Sequence, residues 1–357
     1  MKRVCFLIGN LNNSGGTERV TTLIANELVR MSYNVSIISL TEGKQPFFEL
    51  DNSIRTYSLY SDKVSFKTNF FGVVYKLRNF VKNNKIDSFV VVDSISCIFT
   101  VPAFYGLKLN HICWEHFNFD VNLGVKSRDL GRRLAARYCD YVVTLTKRDK
   151  ELWEQGLKNI KAKIIPIANP TPYENTNHIP SLEYKTVLAM GRLTYQKGFD
   201  LLIDAWALVC KINLDWTLRI VGSGEDEEHL KQQAKNLGIY DRINFVPSTK
   251  SVELHYTTSS FYCLSSRFEG LPMVLLEAQA FGLPIVAFDC DTGPSEIINH
   301  NFNGYLCKVN EPESLALGLI KMINSNKDGF EEMSYRSKLN SENYTIDKIV
   351  EKWKDVV

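Results

Sequence analysis

The sequence of 357 residues lacks several features that would assign it to a particular class of protein. No apolar run approaches the roughly 18 residues of a membrane-spanning helix. None of the eight cysteines forms a C-x-x-C pair, which favours buried free thiols over a disulfide framework or zinc. Internal repeats, low-complexity tracts and nucleic-acid-binding modules are also missing. These absences exclude a membrane-spanning protein, a repeat protein and a disulfide-stabilised secreted domain.

Two cofactor motifs are incomplete. Gly222 and Gly224 follow a predicted strand, but the third glycine of G-x-G-x-x-G is absent, so the sequence does not predict a dehydrogenase. Asp289 and Asp291 spell D-x-D, yet nothing beside them completes the octahedral oxygen set that Mg²⁺ or Mn²⁺ prefers. We therefore expect no metal and no cofactor.

What the sequence does contain is an alternation of short apolar strands and helical patterns, typical of parallel α/β sheets. Predicted strands cover 4–9, 35–40, 88–93, 111–114, 141–145, 163–166, 186–190, 217–221, 243–246, 261–264 and 284–288. Predicted helices cover 18–31, 69–83, 127–138, 148–155, 199–210, 225–237, 272–281, 315–323 and 346–355. The segment 167–180 is rich in proline and polar residues without an apolar period, which indicates a linker between two domains.

The charge is distributed unevenly along the chain. Residues 1–170 contain 24 Lys and Arg against 15 Asp and Glu, whereas the remainder contains 18 against 25. The partner of a basic half is nucleic acid, an anionic membrane or a phosphorylated substrate. No nucleic-acid-binding module is present, so the sequence favours the last two. The basic stretch 130–138, with Lys126 and Arg128 before it, either lies near anionic lipid or is an ordinary solvated helix face.

The most informative stretch is 264–278, a predicted strand followed by a tight turn and a helix. Pro272 suits the first helical position, where its missing N–H costs nothing. Free amides and the helix dipole at this end favour an anionic ligand such as phosphate. Glu269 and Glu277 flank the same end of the helix. Carboxylates repel an anion, so these two are expected to bind a different part of the ligand, such as the hydroxyl groups of a sugar or ribose. The stretch therefore predicts a nucleotide-sugar site.

Glu269 and Glu277 stand in an E-x7-E arrangement, and the block resembles the retaining glycosyltransferases of family 4. The resemblance covers nearly the whole chain, is strongest over 187–306 and is looser before residue 169. It implies the GT-B fold, an α/β architecture of two doubly wound Rossmann-like domains facing across a cleft. The expected domains are 1–170, with 343–357 crossing back onto it, and a nucleotide-sugar-binding domain over 183–342.

The loop 191–198 carries two cations five residues apart between glycines, so they can converge on one diphosphate. The resemblance implies that Arg192 and Lys197 grip the donor diphosphate, whose charge grows as the glycosidic bond breaks. It further implies that Glu269 holds the transferred sugar and Glu277 the ribose hydroxyls. The residues expected to bind the donor are Gly15, Gly16, Arg192, Lys197, Gly222, Val246, Glu269, Gly270, Leu271, Pro272 and Glu277.

In the first half, Gly15 and Gly16 follow the first strand and allow the backbone to approach a ligand closely. Glu18 is a candidate for touching the acceptor, although a glutamate in the first turn also satisfies the helix dipole. His116 follows a predicted strand and is expected at the cleft, where family members often place a histidine. The expected catalytic residues are Arg192, Lys197, Glu269 and His116.

The resemblance implies a retaining enzyme that moves a hexosyl or N-acetylhexosaminyl group from a nucleotide sugar, expected to be UDP-linked. The expected acceptor is a lipid-linked oligosaccharide of bacterial capsule, exopolysaccharide or O-antigen synthesis. The resemblance implies retention by front-face attack, which requires no carboxylate nucleophile. Positive side chains and helix ends can take the place of a metal. We expect a cytoplasmic protein in peripheral contact with the anionic inner-membrane surface.

Two alternatives share the fold. A nucleotide-sugar epimerase is another enzyme with the GT-B fold, but this sequence matches the epimerase pattern no better than the glycosyltransferase pattern. A catalytically silent sugar-nucleotide-binding module would be expected to lack Arg192, Lys197 or Glu277, and all three are present.

Overall fold

A computed structural model describes residues 1–357, and the chain forms two compact units. The first unit comprises Met1–Pro170 and Ile346–Val357, and the second comprises Thr171–Thr345. The second unit therefore begins at Thr171, whereas the sequence analysis placed its start at residue 183.

Each unit is built on one parallel sheet. The strands are β1 (Arg3–Ile8), β2 (Asn34–Thr41), β3 (Arg55–Tyr60), β4 (Ser88–Val92), β5 (Asn110–Trp114), β6 (Tyr141–Thr144), β7 (Lys163–Pro166), β8 (Thr186–Met190), β9 (Thr217–Val221), β10 (Ile243–Val246), β11 (Phe261–Leu264), β12 (Ile285–Phe288) and β13 (Gly304–Cys307). The first sheet has the order β3-β2-β1-β4-β5-β6-β7 and the second β10-β9-β8-β11-β12-β13. The predicted parallel α/β fold is confirmed.

Helices connect the strands. They are α1 (Gly16–Arg30), α2 (Phe70–Asn84), α3 (Cys97–Phe104), α4 (Lys126–Tyr138), α5 (Lys147–Gly156), α6 (Phe199–Cys210), α7 (Glu227–Asn236), α8 (Glu253–Thr257), α9 (Met273–Ala280), α10 (Pro294–Ile297), α11 (Pro312–Ile323), α12 (Lys327–Ser341) and α13 (Ile346–Lys354). None of them combines the length and the apolar character that crossing a bilayer requires.

The C-terminal helix α13 is part of the first unit. Trp353 is fully buried. The centroid of its ring lies 4.7 Å from that of Trp114 and 6.5 Å from that of Phe6. The Lys2 ammonium donates to the carbonyl of Val357 at 2.8 Å. Aromatic burial of this size is worth several kcal/mol, so the helix is a structural part of this unit's core.

The strand order determines where a ligand site can form. In a doubly wound sheet, ligands bind outside the carboxyl ends of the strands where the winding direction reverses. In the second unit this reversal lies between β8 and β11, which are hydrogen-bonded neighbours. The loops that follow these two strands are therefore adjacent, and they carry Lys197 and Glu269.

Candidate active site

Glycines hold the loops of the second unit in backbone-to-backbone contact. A Cβ added at Gly222 would lie 1.9 Å from the carbonyl oxygen of Gly191. Gly198 has a φ of +61°, and a Cβ there would lie 2.2 Å from the carbonyl oxygen of Ser265. Only glycine permits these approaches. The loops after β8, β9 and β11 therefore form one continuous surface, and Gly222 shapes it through its backbone.

The side chains of Lys197 and Glu269 meet on this surface. The Lys197 ammonium lies 2.5 Å from Glu269 Oε1, and the two side chains are 20% and 7% exposed. Ser266 Oγ donates to the same oxygen at 2.6 Å, whereas no protein group donates to Glu269 Oε2. A partly buried pair of this kind interacts strongly. It presents one cation and one open carboxylate oxygen side by side.

A second ion pair fixes the two loops that carry these groups. The Arg267 guanidinium bonds both oxygens of Asp200, at 2.8 and 2.5 Å, and donates to the carbonyl of Tyr195 at 2.7 Å. Although burial alone would raise the pKa of Asp200, the hydrogen bonds and charge of Arg267 lower it. Bidentate pairs of this geometry add orientation as well as energy, so the loop positions are set within the protein.

Arg192 lies apart from this network. Its side chain is exposed, and it forms no ion pair. The structure thus places Lys197 against Glu269, whereas Arg192 is a solvated cation on the same loop.

The start of α9 differs from the prediction by one residue. Pro272 precedes the helix as its N-cap with a ψ of 109° and is not the first helical residue, because extended backbone is favourable at that position. The amides of Gly270, Leu271 and Met273 form no hydrogen bond within the protein. Free donors at the positive end of a helix dipole are what an anion requires.

Glu277 is almost completely buried one turn further along α9, at 5% exposure. Its Oε2 accepts a hydrogen bond from the hydroxyl of Tyr256 at 2.6 Å. Burial, and then the charge of Glu277, raise the pKa of Tyr256 well above its usual value, so the phenol is the donor. Tyr256 was not predicted as a site residue, because it lies on α8, a helix too short to give an apolar period.

Val246 ends the edge strand β10, and its carbonyl accepts from the amide of Gly222 at 2.9 Å. One lone pair of this carbonyl is therefore engaged within the protein, and the residue is half-buried.

In the first unit, Gly15 is the N-cap of α1 and Gly16 its first residue. A Cβ at Gly15 would lie 2.5 Å from Glu18 Oε2, which also accepts from the hydroxyl of Thr17 at 2.8 Å. Glu18 thus folds back over the glycine and interacts favourably with the helix N-terminus.

His116 follows β5, with its ring 4.5 Å from that of Trp114. Its Nε2 is buried without a hydrogen-bond partner. Burial lowers the pKa of His116 to about 3, so the imidazole is neutral at physiological pH. An unpartnered buried nitrogen is uncommon, and it makes His116 a candidate for contact with a ligand.

The basic stretch of α4 divides into two faces. Arg128 and Arg132 are buried: Arg132 Nε lies 3.2 Å from Glu115 Oε2, and Arg128 lies 2.7 Å from Asp93 Oδ1. Glu115, itself fully buried, also accepts the amide of His116 at 3.0 Å. The expectation that the whole stretch forms a solvated or lipid-facing surface is therefore wrong for these two arginines, which satisfy internal carboxylates.

The cysteines, His111 and the aspartates of D-x-D are the candidate metal ligands. All eight cysteines are free thiols, and Asp289 and Asp291 are both exposed. Cys97, His111 and Cys139 come together with their ligand atoms within 4.8 Å of one another. The cluster lies in the core of the first unit, where His111 Nε2 bonds Thr100 Oγ1 at 3.0 Å, and we assign it to packing.

Comparison with known proteins identifies the family. The family model for glycosyl transferases group 1 matches residues 174–341, and that for Glycosyltransferase Family 4 matches residues 14–170. The chain is 44% identical to an uncharacterized glycosyltransferase of Haemophilus influenzae, over the full length of both. The chain belongs to glycosyltransferase family 4.

Two relatives that match over nearly their whole length are named for their reactions. An amylovoran biosynthesis glycosyltransferase of Erwinia amylovora, AmsD, is 29% identical over all of both chains. A Campylobacter jejuni α-1,4-N-acetyl-D-galactosaminyltransferase, named for a PP-undecaprenol-linked acceptor, is 28% identical over 99% of this chain and 97% of its own. The chain is thus similar over its whole length to glycosyltransferases that are named for bacterial polysaccharide and glycan synthesis.

The same fold occurs in solved structures. A variant of S. aureus TarM, crystallised with fondaparinux, alpha-GlcNAc-glycerol and UDP, superposes with a TM-score of 0.83 at 15% identity, covering 100% of this chain and 99% of its own. The predicted GT-B architecture is confirmed at the level of the fold.

Proposed function

We propose that this chain is a retaining glycosyltransferase that transfers a hexosyl or N-acetylhexosaminyl group from a UDP-linked donor. The observation that carries the proposal is the Lys197–Glu269 pair beside the free amides at the start of α9. A cation and amide donors suit a diphosphate, and the open Glu269 Oε2 suits a sugar hydroxyl. The UDP in the TarM complex supports the choice of base.

The proposed chemistry depends on charge development in the leaving group. As the anomeric carbon–oxygen bond breaks, UDP takes the bonding electrons, and the acceptor hydroxyl bonds the same face of the sugar. The leaving phosphate oxygen accepts the acceptor proton. Lys197 and the α9 amides then stabilise the departing diphosphate more than the bound donor. Arg192 is exposed on the same loop and is the second proposed cation, so no metal is required.

The proposed acceptor is a lipid-linked oligosaccharide. The C. jejuni relative, which is named for a PP-undecaprenol acceptor, supports this class. We further propose that the chain works in the cytoplasm in peripheral contact with an anionic membrane surface. Lys126, Arg133 and Arg137 are the exposed cations of α4, and their charge favours such a surface.

The donor assignment is tested by thermal shift with UDP, GDP and ADP, for the wild type and for Glu277→Ala. UDP is expected to raise the melting temperature most, because a ligand bound only to the native state stabilises it. The shift should be lost in the variant. A larger shift with GDP or ADP would refute the choice of base.

A further inference from the structure

Tyr256 has a single polar contact, and that contact is with a predicted donor-binding residue. The side chain is completely buried, and its hydroxyl lies 2.6 Å from Glu277 Oε2. A phenol donating to a carboxylate forms a short, charge-assisted hydrogen bond. The contact joins α8 to α9, which are otherwise separated by β11 in the chain.

The ring of Tyr256 is held rigidly. It stacks nearly parallel on Phe281, with centroids 5.1 Å apart and an interplanar angle of 7°. The ring of Tyr262 stacks on it as well, at 6.3 Å and 29°. Phe281 directly follows α9, so the stack fixes the phenol relative to the helix that carries Glu277. The hydroxyl therefore has one position from which it can donate.

A buried carboxylate without donors is costly, and it relieves that cost by turning toward any available donor or by binding a proton. A fixed hydroxyl on one oxygen removes this freedom. The carboxylate plane is then set before a ligand arrives, so binding does not have to immobilise the side chain.

We propose that Tyr256 is a positioning residue that orients Glu277 to accept hydrogen bonds from the ribose hydroxyls of the donor nucleotide. The inference rests on the proposed function, because it needs Glu277 to face ribose. It assigns to the Tyr256–Glu277 pair the discrimination between ribonucleotide and 2′-deoxyribonucleotide. The oriented carboxylate accepts a hydrogen bond from the 2′-hydroxyl group of a ribonucleotide, and a 2′-deoxy analogue cannot make that hydrogen bond.

The test compares the dissociation constants of UDP and 2′-deoxy-UDP by calorimetry. The wild type should prefer UDP. In Tyr256→Phe the affinity for UDP should fall about threefold to tenfold, because Glu277 remains but binding must now fix its orientation. The affinity for 2′-deoxy-UDP should fall less, so the preference shrinks. A purely structural defect would lower the affinities for UDP and 2′-deoxy-UDP by the same factor.

Tyr344→Phe is the matched control. Its hydroxyl, in the same unit, donates to the carbonyl of Glu296 at 2.9 Å, and its loss should leave the preference unchanged. If Tyr256→Phe does not fold, Phe281→Leu keeps the hydroxyl but frees the ring, and the preference should again shrink.

The outcomes separate the inference from the proposed function. If Glu277→Ala abolishes the preference while Tyr256→Phe and Phe281→Leu leave it intact, the positioning role is refuted. If Glu277→Ala itself keeps the preference, the ribose contact is refuted and the positioning role with it.

Discussion

At the residue scale, the proposed donor site depends on a few side chains whose hydrogen-bond and ion-pair partners are other residues of the protein. Lys197 and Glu269 face each other at 2.5 Å, and Tyr256 bonds Glu277 at 2.6 Å. Each pair places a charged group in a partly dry environment, where its electrostatic effect on a ligand is larger than in water. The two pairs lie near opposite ends of the 269–277 stretch. This separation agrees with the proposal that Glu269 binds the transferred sugar and Glu277 binds the ribose.

Lys197→Ala should reduce turnover much more than donor affinity. The contact strengthens as the diphosphate gains charge, so we expect about a 100-fold loss of kcat. The loss of affinity for UDP should stay below about tenfold. Steady-state kinetics and calorimetry give both values, and circular dichroism checks folding because Glu269 loses its partner. Lys211→Ala, which removes an exposed cation of the same unit, should leave kcat and the affinity for UDP unchanged. Unchanged turnover in Lys197→Ala would refute the assignment.

His116 makes the stability of the first unit depend on pH. Its pKa is about 3 in the folded chain, against an ordinary value of 6.5, so between these values the unfolded chain binds a proton that the native chain does not. The free energy of unfolding therefore falls as the pH drops below 6.5, by on the order of 2 kcal/mol at pH 5.

His116→Gln should remove this acid sensitivity. Melting temperatures of the wild type and the variant, measured at pH 7.5 and at pH 5, supply the comparison. We expect the wild type to lose more stability than the variant on acidification. An equal loss in both proteins would contradict the neutral buried imidazole.

The sequence predicted several site residues but not their internal partners. The E-x7-E spacing and the glycine-bounded loop 191–198 are local patterns, so Glu269, Glu277 and Lys197 could be proposed as site residues from the sequence alone. Tyr256 and Arg267 act through contacts 21 and 67 residues away. Such contacts are created by the strand order, and a single sequence does not encode them in any local period.

At the scale of secondary-structure elements, the regular apolar strands were predicted and the weakly patterned elements were not. The strands β3 and β13 and the helices α3, α8, α10 and α12 were missed. In β3 only Leu59 is buried, because an edge strand has little apolar character. The helix α3 is apolar on all sides and contains Pro102, so it offers no amphipathic period.

The helix α4 illustrates how burial reverses the meaning of a charge run. Arg128 and Arg132 lie one turn apart and point inward, whereas Lys126, Arg133 and Arg137 are exposed. Composition alone cannot distinguish the two faces. The distinction comes from the buried Glu115, which Arg132 and Ser94 satisfy together.

Arg132→Ala should destabilise the first unit strongly, and Arg133→Ala is its control. Removing one partner of a buried ion pair leaves an uncompensated charge and costs about 3–5 kcal/mol. The neighbouring exposed arginine should cost less than about 0.5 kcal/mol. Urea unfolding is followed by tryptophan fluorescence, to which this unit contributes Trp114, Trp153 and Trp353, three of the five tryptophans of the chain. Equal effects of the two substitutions would contradict the buried network.

At the scale of the whole molecule, the two units differ in charge. The first contains 27 Lys and Arg against 18 Asp and Glu, and the second contains 15 against 22. A net charge of +9 on one unit and −7 on the other favours contact of the first unit with anionic surfaces.

The chain should therefore sediment with vesicles that contain anionic lipid and not with neutral vesicles. Binding should weaken as salt is raised, because exposed charges are screened within about 10 Å at 0.1 M ionic strength. The double substitution Arg133→Glu and Arg137→Glu should reduce it, whereas Lys211→Glu on the second unit should not. If vesicle binding depends neither on the salt concentration nor on the charge of the lipid, the electrostatic contact is refuted.

The central claim is that the chain transfers a sugar from a UDP donor with retention of the anomeric configuration. The most direct measurement is proton NMR of the product formed from α-linked UDP-glucose, UDP-galactose, UDP-N-acetylglucosamine and UDP-N-acetylgalactosamine, with a short-chain polyprenyl-diphosphate oligosaccharide as acceptor. The account predicts release of UDP with at least one donor, an α-linked product, and about 100-fold slower formation of both in Lys197→Ala. A β-linked product, or transfer only from GDP- or ADP-linked sugars, would contradict it.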